Sequence, residues 1–112
     1  MRYEEIVEMV REATKKAVVS KTLEHIAYQF NVEGEGEGAF YLEIVDGRIN
    51  VEPYEYYDRD MIIFTSADVL SQMSAGTLQP MAAYTSGMIR VWGDVKNLQL
   101  LPLGGRKVCD KS

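Results

Sequence analysis

A chain of 112 residues and 12.7 kDa, 46% hydrophobic and 26% charged, is sized for one domain (1–112) with one core and has the composition of an ordinary folded protein. Its formal net charge of −5 and pI near 4.8 argue against nucleic acid, which is bound through Lys and Arg that displace counterions from phosphates. There is no apolar run of membrane-spanning length, "MRYEEIVEMV" is acidic where a signal peptide is basic and then apolar, and the single Cys109 permits no internal disulfide, so a cytoplasmic location is expected.

From Tyr3 to about Val18, Ile6, Met9, Val10, Ala13 and Ala17 recur at the three-and-four spacing of one helical face. Acidic residues come early and basic ones late, as the helix dipole favours. Ser20 is positioned to cap a second short helical piece through Leu23 and Glu24. From Ile26 the period changes to two, with Ile26, Tyr28, Phe30 and Val32 on one side of a half-buried strand. "EGEGEG" closes that strand as a flexible hairpin loop, and Phe40, Leu42 and Ile44 form the next one. Asp46-Gly47 between alternating apolar residues is a type I′ hairpin signal, which pairs Ile49 and Val51 with the preceding strand. After the turn "EPYEYYDRD", "MIIFT" is apolar on both faces, as expected of a central or doubly covered strand.

Ser66 then caps "ADVLSQMSA", and Gly76 stops that helix. Pro80 opens a short helix through Tyr84, residues 87–93 form the last strand, and Asp94 caps a final short helix bearing Val95, Leu98 and Leu101. The order predicts an α+β fold in two layers, an about five-stranded, mostly antiparallel sheet with helices covering one face.

Several chemistries find no support in these residues. The three glycines of "EGEGEG" alternate with three glutamates, which would repel a phosphate. His25 is the only histidine and has no partner at metal spacing, and the Gly-x-Ser-x-Gly elbow is missing. Asp68 and Asp94 are better explained at helix starts than as bases, and with Glu43 they are the only candidates for such a role. No enzyme, metal or cofactor is expected.

The segment "MIIFTSADVLSQMSAGTLQPMAAYTSGMIRVWGDVKNLQLL" carries Gly76, Pro80, Ala83, Tyr84, Gly87, Ile89, Val91, Gly93 and Asp94 in an ordered set. It resembles the sterol carrier protein 2 family of lipid-binding domains, in the stand-alone prokaryotic form. The hairpin "FYLEIVDGRINV" fits the same domain, and the likeness is weakest over residues 1–25. The resemblance implies sterols, fatty acids, acyl-CoA esters or phospholipids as ligands. Relatives that carry a peroxisomal address end in Lys-Leu, whereas this chain ends "CDKS".

Short helices joined through Gly76 and Pro80 can stand away from the sheet and leave an apolar cavity between the layers. An empty void of roughly 400 Å³ would cost on the order of 10 kcal/mol at about 24 cal/mol per Å³, against a whole domain stability of about 5 to 15 kcal/mol. A guest chain at about 0.8 kcal/mol per buried methylene offsets such a cost. Six methionines suit a wall that adapts to its guest. The candidate ligand-binding residues are Leu70, Met73, Leu78, Met81, Tyr84, Met88, Phe64 and Trp92, with Gln72, Gln79, Ser86 or Arg90 orienting a head group. Each of these apolar residues also serves as ordinary core, Phe64 above all.

The expected function is non-catalytic binding, and in some settings transfer, of a lipid, sterol or fatty-acyl ligand. The alternative is an accessory scaffold that holds a hydrophobic intermediate, such as a quinone precursor, for partner enzymes, with Tyr54, Tyr56 and Tyr57 as a contact patch. A homodimer is compatible with either.

Overall fold

The computed structural model describes residues 1–20, 25–55, 58–104 and 107–108. The helical piece expected near Leu23 and the residues Tyr56, Tyr57 and Cys109 lie outside them. The first helix, α1 (Tyr3–Thr14), buries Ile6, Val7 and Val10 and keeps its glutamates in water. The Arg2 backbone N–H donates to Glu5 Oε1 at 2.7 Å, satisfying one of the donors that open the helix. The helix stops four residues before the apolar pattern does, because Val18 and Val19 belong to a strand, β1 (Val18–Val19), paired in parallel with Lys107 and Val108.

β2 (Ile26–Glu33), β3 (Gly38–Val45) and β4 (Arg48–Glu52) form an antiparallel meander, joined at Asp46 (φ 53°) and Gly47 (φ 75°) by the turn that the Asp-Gly signal demands. β5 (Met61–Ser66) returns on the other side of β2 and runs parallel to it, and β6 (Arg90–Gly93) closes the sheet antiparallel to β5. The order β4-β3-β2-β5-β6 makes a five-stranded mixed sheet, antiparallel except at β2–β5. Strand β6 is shorter than the expected 87–93, although Ile89 before it is buried.

α2 (Ala67–Ala75) begins where Ser66 Oγ accepts from the Val69 N–H and ends at Gly76, whose φ of 84° is left-handed. α3 (Pro80–Thr85) opens on its proline. The last helical segment (Val95–Leu100) is a tighter 3-10 helix, capped by Asp94 Oδ1 on the Lys96 N–H at 3.0 Å. The helices pack on the sheet face bearing Tyr28, Phe30, Phe40, Leu42, Met61 and Ile63, all fully buried. Phe30 and Phe40 face each other across β2 and β3 and stack with ring centroids 5.0 Å apart. The Tyr28 hydroxyl donates to the Asn97 carbonyl at 2.7 Å and ties the central strand to the 3-10 helix.

The glutamate-glycine loop packs beneath the start of α1. A Cβ on Gly38 would stand 2.5 Å from the Tyr3 ring, and one on Gly36 2.5 Å from Ile6 Cδ1. Glycine is required here for close approach, and the Tyr3 hydroxyl donates to the Ala39 carbonyl beside it.

Candidate ligand-binding site

On α1, Met9, Glu12 and Ala13 lie on one stripe, which Lys16 continues just past the helix end, and on α2 Ser71, Ser74 and Ala75 form the facing stripe. Alanine and serine are too short to interdigitate across the seam, so the two helices leave between them a groove of about 520 Å³, open to solvent, with Gly104 also in its lining. That lies within the 300–1,000 Å³ typical of small-molecule sites. Its lining is mainly apolar, with polar groups at defined points. Ser74 Oγ is buried without a hydrogen-bond partner, and such an atom costs about 1–3 kcal/mol until a donor or acceptor reaches it.

At the rim, Lys15 Nζ donates to Glu12 Oε2 at 2.7 Å. This bond, reinforced by the opposite charge, holds the Glu12 carboxyl below the ordinary carboxylate range and raises the Lys15 ammonium. Lys16 is exposed on the same edge. The seam therefore offers an apolar trough, a cation at its edge and an unused hydroxyl within it. That combination suits an aliphatic chain with a polar or anionic end.

The residues anticipated from sequence divide into three places. Leu70 and Met73 point inward from α2 and are 0% and 1% exposed, and Leu78 and Met81 pack half-buried against the same core. Tyr84 and Met88 are exposed at and just beyond the end of α3. Phe64 and Trp92 lie on the opposite side of the sheet. The two-residue period that buries Met61 and Ile63 under the helices turns Ile62 and Phe64 away, and register places Trp92 beside Ile62 and Arg90 beside Phe64. The Arg90 guanidinium sits over the Phe64 ring, 4.7 Å from its centroid. One wall shared by all eight residues is thus not formed.

The sequence reading did not single out Met9, Ala13, Ser71, Ser74, Ala75 and Gly104, which line the groove. The available signal was the run of small residues at three-and-four spacing on two helices. It becomes informative only once α1 and α2 are known to be neighbours.

The sequence pattern of the SCP-2 sterol transfer family matches residues 5–101, which takes in α2 and α1 from Glu5 onward. The chain belongs to that family. The chain is 28% identical over 93 residues to the hydroxysteroid dehydrogenase-like protein 2 of Bos taurus, a match that covers 82% of this chain but only 22% of that protein. The fold is similar to that of palmitated SCP2L2 from Aedes aegypti, with TM-score 0.59 and 18% identity over 88% of this chain and 87% of the other. It is also similar to the ubiquinone synthesis protein UbiJ-SCP2, with TM-score 0.57 and 19% identity over 86% and 82% of the two chains.

Proposed function

We propose that this SCP-2 domain binds one aliphatic lipid, of fatty-acyl or sterol type, reversibly and without catalysis. The observation that carries the reading is the open α1–α2 seam of about 520 Å³ in a member of a sterol transfer family. The guest's chain lies along Met9, Ala13 and Ala75, and its polar end meets Lys16 or Ser74 Oγ. Leu70 and Met73 lie on the inner face of α2, and Leu78 and Met81 pack against the same core. Methionine re-packs at low cost, so they accommodate the part of a long chain that the seam does not hold. Tyr84 and Met88 are exposed at and beyond the end of α3, apart from the trough lining. Affinity comes from burial at about 0.8 kcal/mol per methylene, and the palmitate carried by the mosquito relative supports a chain of that class.

Delipidated protein should be titrated with palmitate while its melting is followed. At about a hundredfold excess over Kd the stabilisation of about 2.7 kcal/mol raises Tm by roughly 10 °C or more. An unchanged Tm with palmitate, cholesterol and an isoprenoid quinone would remove the reading.

A second reading, a scaffold presenting a quinone precursor to partner enzymes, is favoured by Tyr54 and Trp92, which expose 57% and 59% of their surface away from the helices. Substituting both with serine should then abolish partner capture and leave lipid binding intact. Native extracts that yield lipid and no protein partner count against it.

A further inference from the structure

The two helices that flank the trough differ in what they show to solvent. Every exposed position of α1 is a glutamate: Glu4, Glu5, Glu8 and Glu12. On the other side, residues 69–89 contain no charged residue, although 26% of the chain is charged. That stretch begins in α2, supplies Ser71, Ser74 and Ala75 to the trough lining, and runs through α3 up to β6.

Burial explains only part of this. Leu70, Met73, Pro80, Ala83 and Ile89 are buried, where a charge would be costly. Yet ten of the 14 residues at 75–88 are exposed, and exposed surface ordinarily carries Lys, Arg, Glu and Asp. The exposed ones are small or uncharged polar residues except for two large side chains, Tyr84 and Met88, which are 39% and 41% exposed.

A protein partner would need more than this surface offers. A stable protein interface buries about 800 Å² a side around several large anchors seated in matching pockets. Two partly exposed side chains among alanine, serine and glycine supply few. A lipid surface has no fixed shape to match. It penalises charge and favours an apolar side chain, or an aromatic ring with a polar tip, at headgroup level, as Met88 and Tyr84 provide. The headgroup charge follows as well. With a net charge of −5 and four exposed glutamates across the trough, the protein is repelled by an anionic surface, and residues 69–89 hold no Lys or Arg to offset that.

We propose that residues 75–88 are the face on which the protein rests on a neutral or zwitterionic lipid surface, with the trough opening beside it. The proposal rests on the lipid reading and adds a route to it: the guest passes between the lipid surface and the trough along the uncharged α2 side, without crossing the glutamates of α1.

The test is flotation of the full chain with phosphatidylcholine vesicles, alone or with added phosphatidylserine. Binding to phosphatidylcholine that phosphatidylserine does not strengthen is expected. The double variant Tyr84→Glu/Met88→Glu removes two partly exposed apolar side chains from the contact and should weaken binding roughly tenfold or more. Ala82→Glu, at an exposed position of α3, should weaken it in the same direction. Tyr54→Glu, on the far side of the sheet, should leave it unchanged. None of these residues lines the trough, so every variant should keep the wild-type Tm response to palmitate, and a failure of vesicle binding is distinguishable from a failure of the lipid reading. No binding to phosphatidylcholine, binding only with phosphatidylserine, or unchanged binding in both the double variant and Ala82→Glu would each overturn the proposal. So would a wild-type dimer that the double variant breaks, which would make a second copy of the chain the occupant.

Discussion

The two faces of strand β2 are built on different principles. Toward the helices it presents Ile26, Tyr28, Phe30 and Val32, closed over by the core, with the one polar tip, the Tyr28 hydroxyl, bonded to Asn97. Toward the opposite side it presents Ala27, Gln29 and Asn31, where Ala27 and Gln29 are buried as deeply as the core but an amide oxygen is left without a donor. Equal burial therefore does not mean equal stabilisation. The helix-side face gains about 25 cal/mol per Å² of apolar surface withdrawn from water, whereas the opposite face spends part of its gain on desolvated polar atoms. Among the described residues, three buried side-chain atoms stand without a protein partner: Gln29 Oε1 and Arg59 Nε on this side of the sheet, and Ser74 Oγ at the α1–α2 seam.

The comparison is broken or sharpened by substitution on each face. The largest effect is expected for Phe30→Ala, which removes a fully buried ring stacked on Phe40 and should lose about 3–5 kcal/mol in denaturant unfolding. If Gln29→Leu, one position away on the other face, were to cost as much, the distinction between the faces would fail. It should instead change stability by less than about 1 kcal/mol in either direction, because the lost hydrogen bond to Asn31 is offset by relief of the unsatisfied oxygen.

Between these lies Gly93→Ala. The φ of 112° at Gly93 and a Cβ placed 2.6 Å from the Asp60 carbonyl oxygen should cost about 1–3 kcal/mol and loosen the chain at Asp60 where it joins β5. Ser66→Ala removes the cap of α2 and should cost about 1 kcal/mol, read as a fall in Tm with little change in the side-chain amide resonances of Gln29 and Asn31. The smallest effect is that of Glu12→Gln at the seam rim, since Glu12 and Lys15 are solvent-exposed. Its sign is still defined. The Glu12 pKa is lowered in the fold, so the pair's contribution is present above the unfolded carboxyl pKa and is lost as pH falls through the folded one. A thermal-melting series in pH should show wild type and variant converging on the acidic side.

How much of this was legible in sequence follows from the range of the interactions involved. The Asp46-Gly47 turn, the Ser66 cap, the Gly76 stop, Pro80 at a helix start and Asp94 at the last one are each decided within about four residues, and each forms where the local pattern places it. The parallel pairing of β2 with β5 and of Val18–Val19 with Lys107–Val108 joins distant segments that carry no local mark of it. For the same reason the last helix, a cap followed by apolar residues, gave no sign that it would tighten to 3-10 geometry. "EGEGEG" reads as a loop from its composition, while its docking under Tyr3 and Ile6 depends on where α1 comes to rest. The candidate site was half legible. The apolar spacing of Leu70 and Met73 marks the inner face of α2, but the hollow lies one stripe over, at Ser71, Ser74 and Ala75. Phe64 and Trp92 pointed to apolar function without telling which face of the sheet they would occupy.

The central claim is that an aliphatic chain enters the helix layer at the α1–α2 seam. The most direct measurement is methyl NMR of protein labelled at its six methionines, titrated with palmitate after delipidation. Contacts from palmitate methylene protons to the Met9 and Met73 methyls, with little change at Met1 and Met88, are the result this account predicts. Perturbations confined to Met1 and Met88, with Met9 and Met73 unmoved at saturating palmitate, would place the lipid on the outer surface and contradict it.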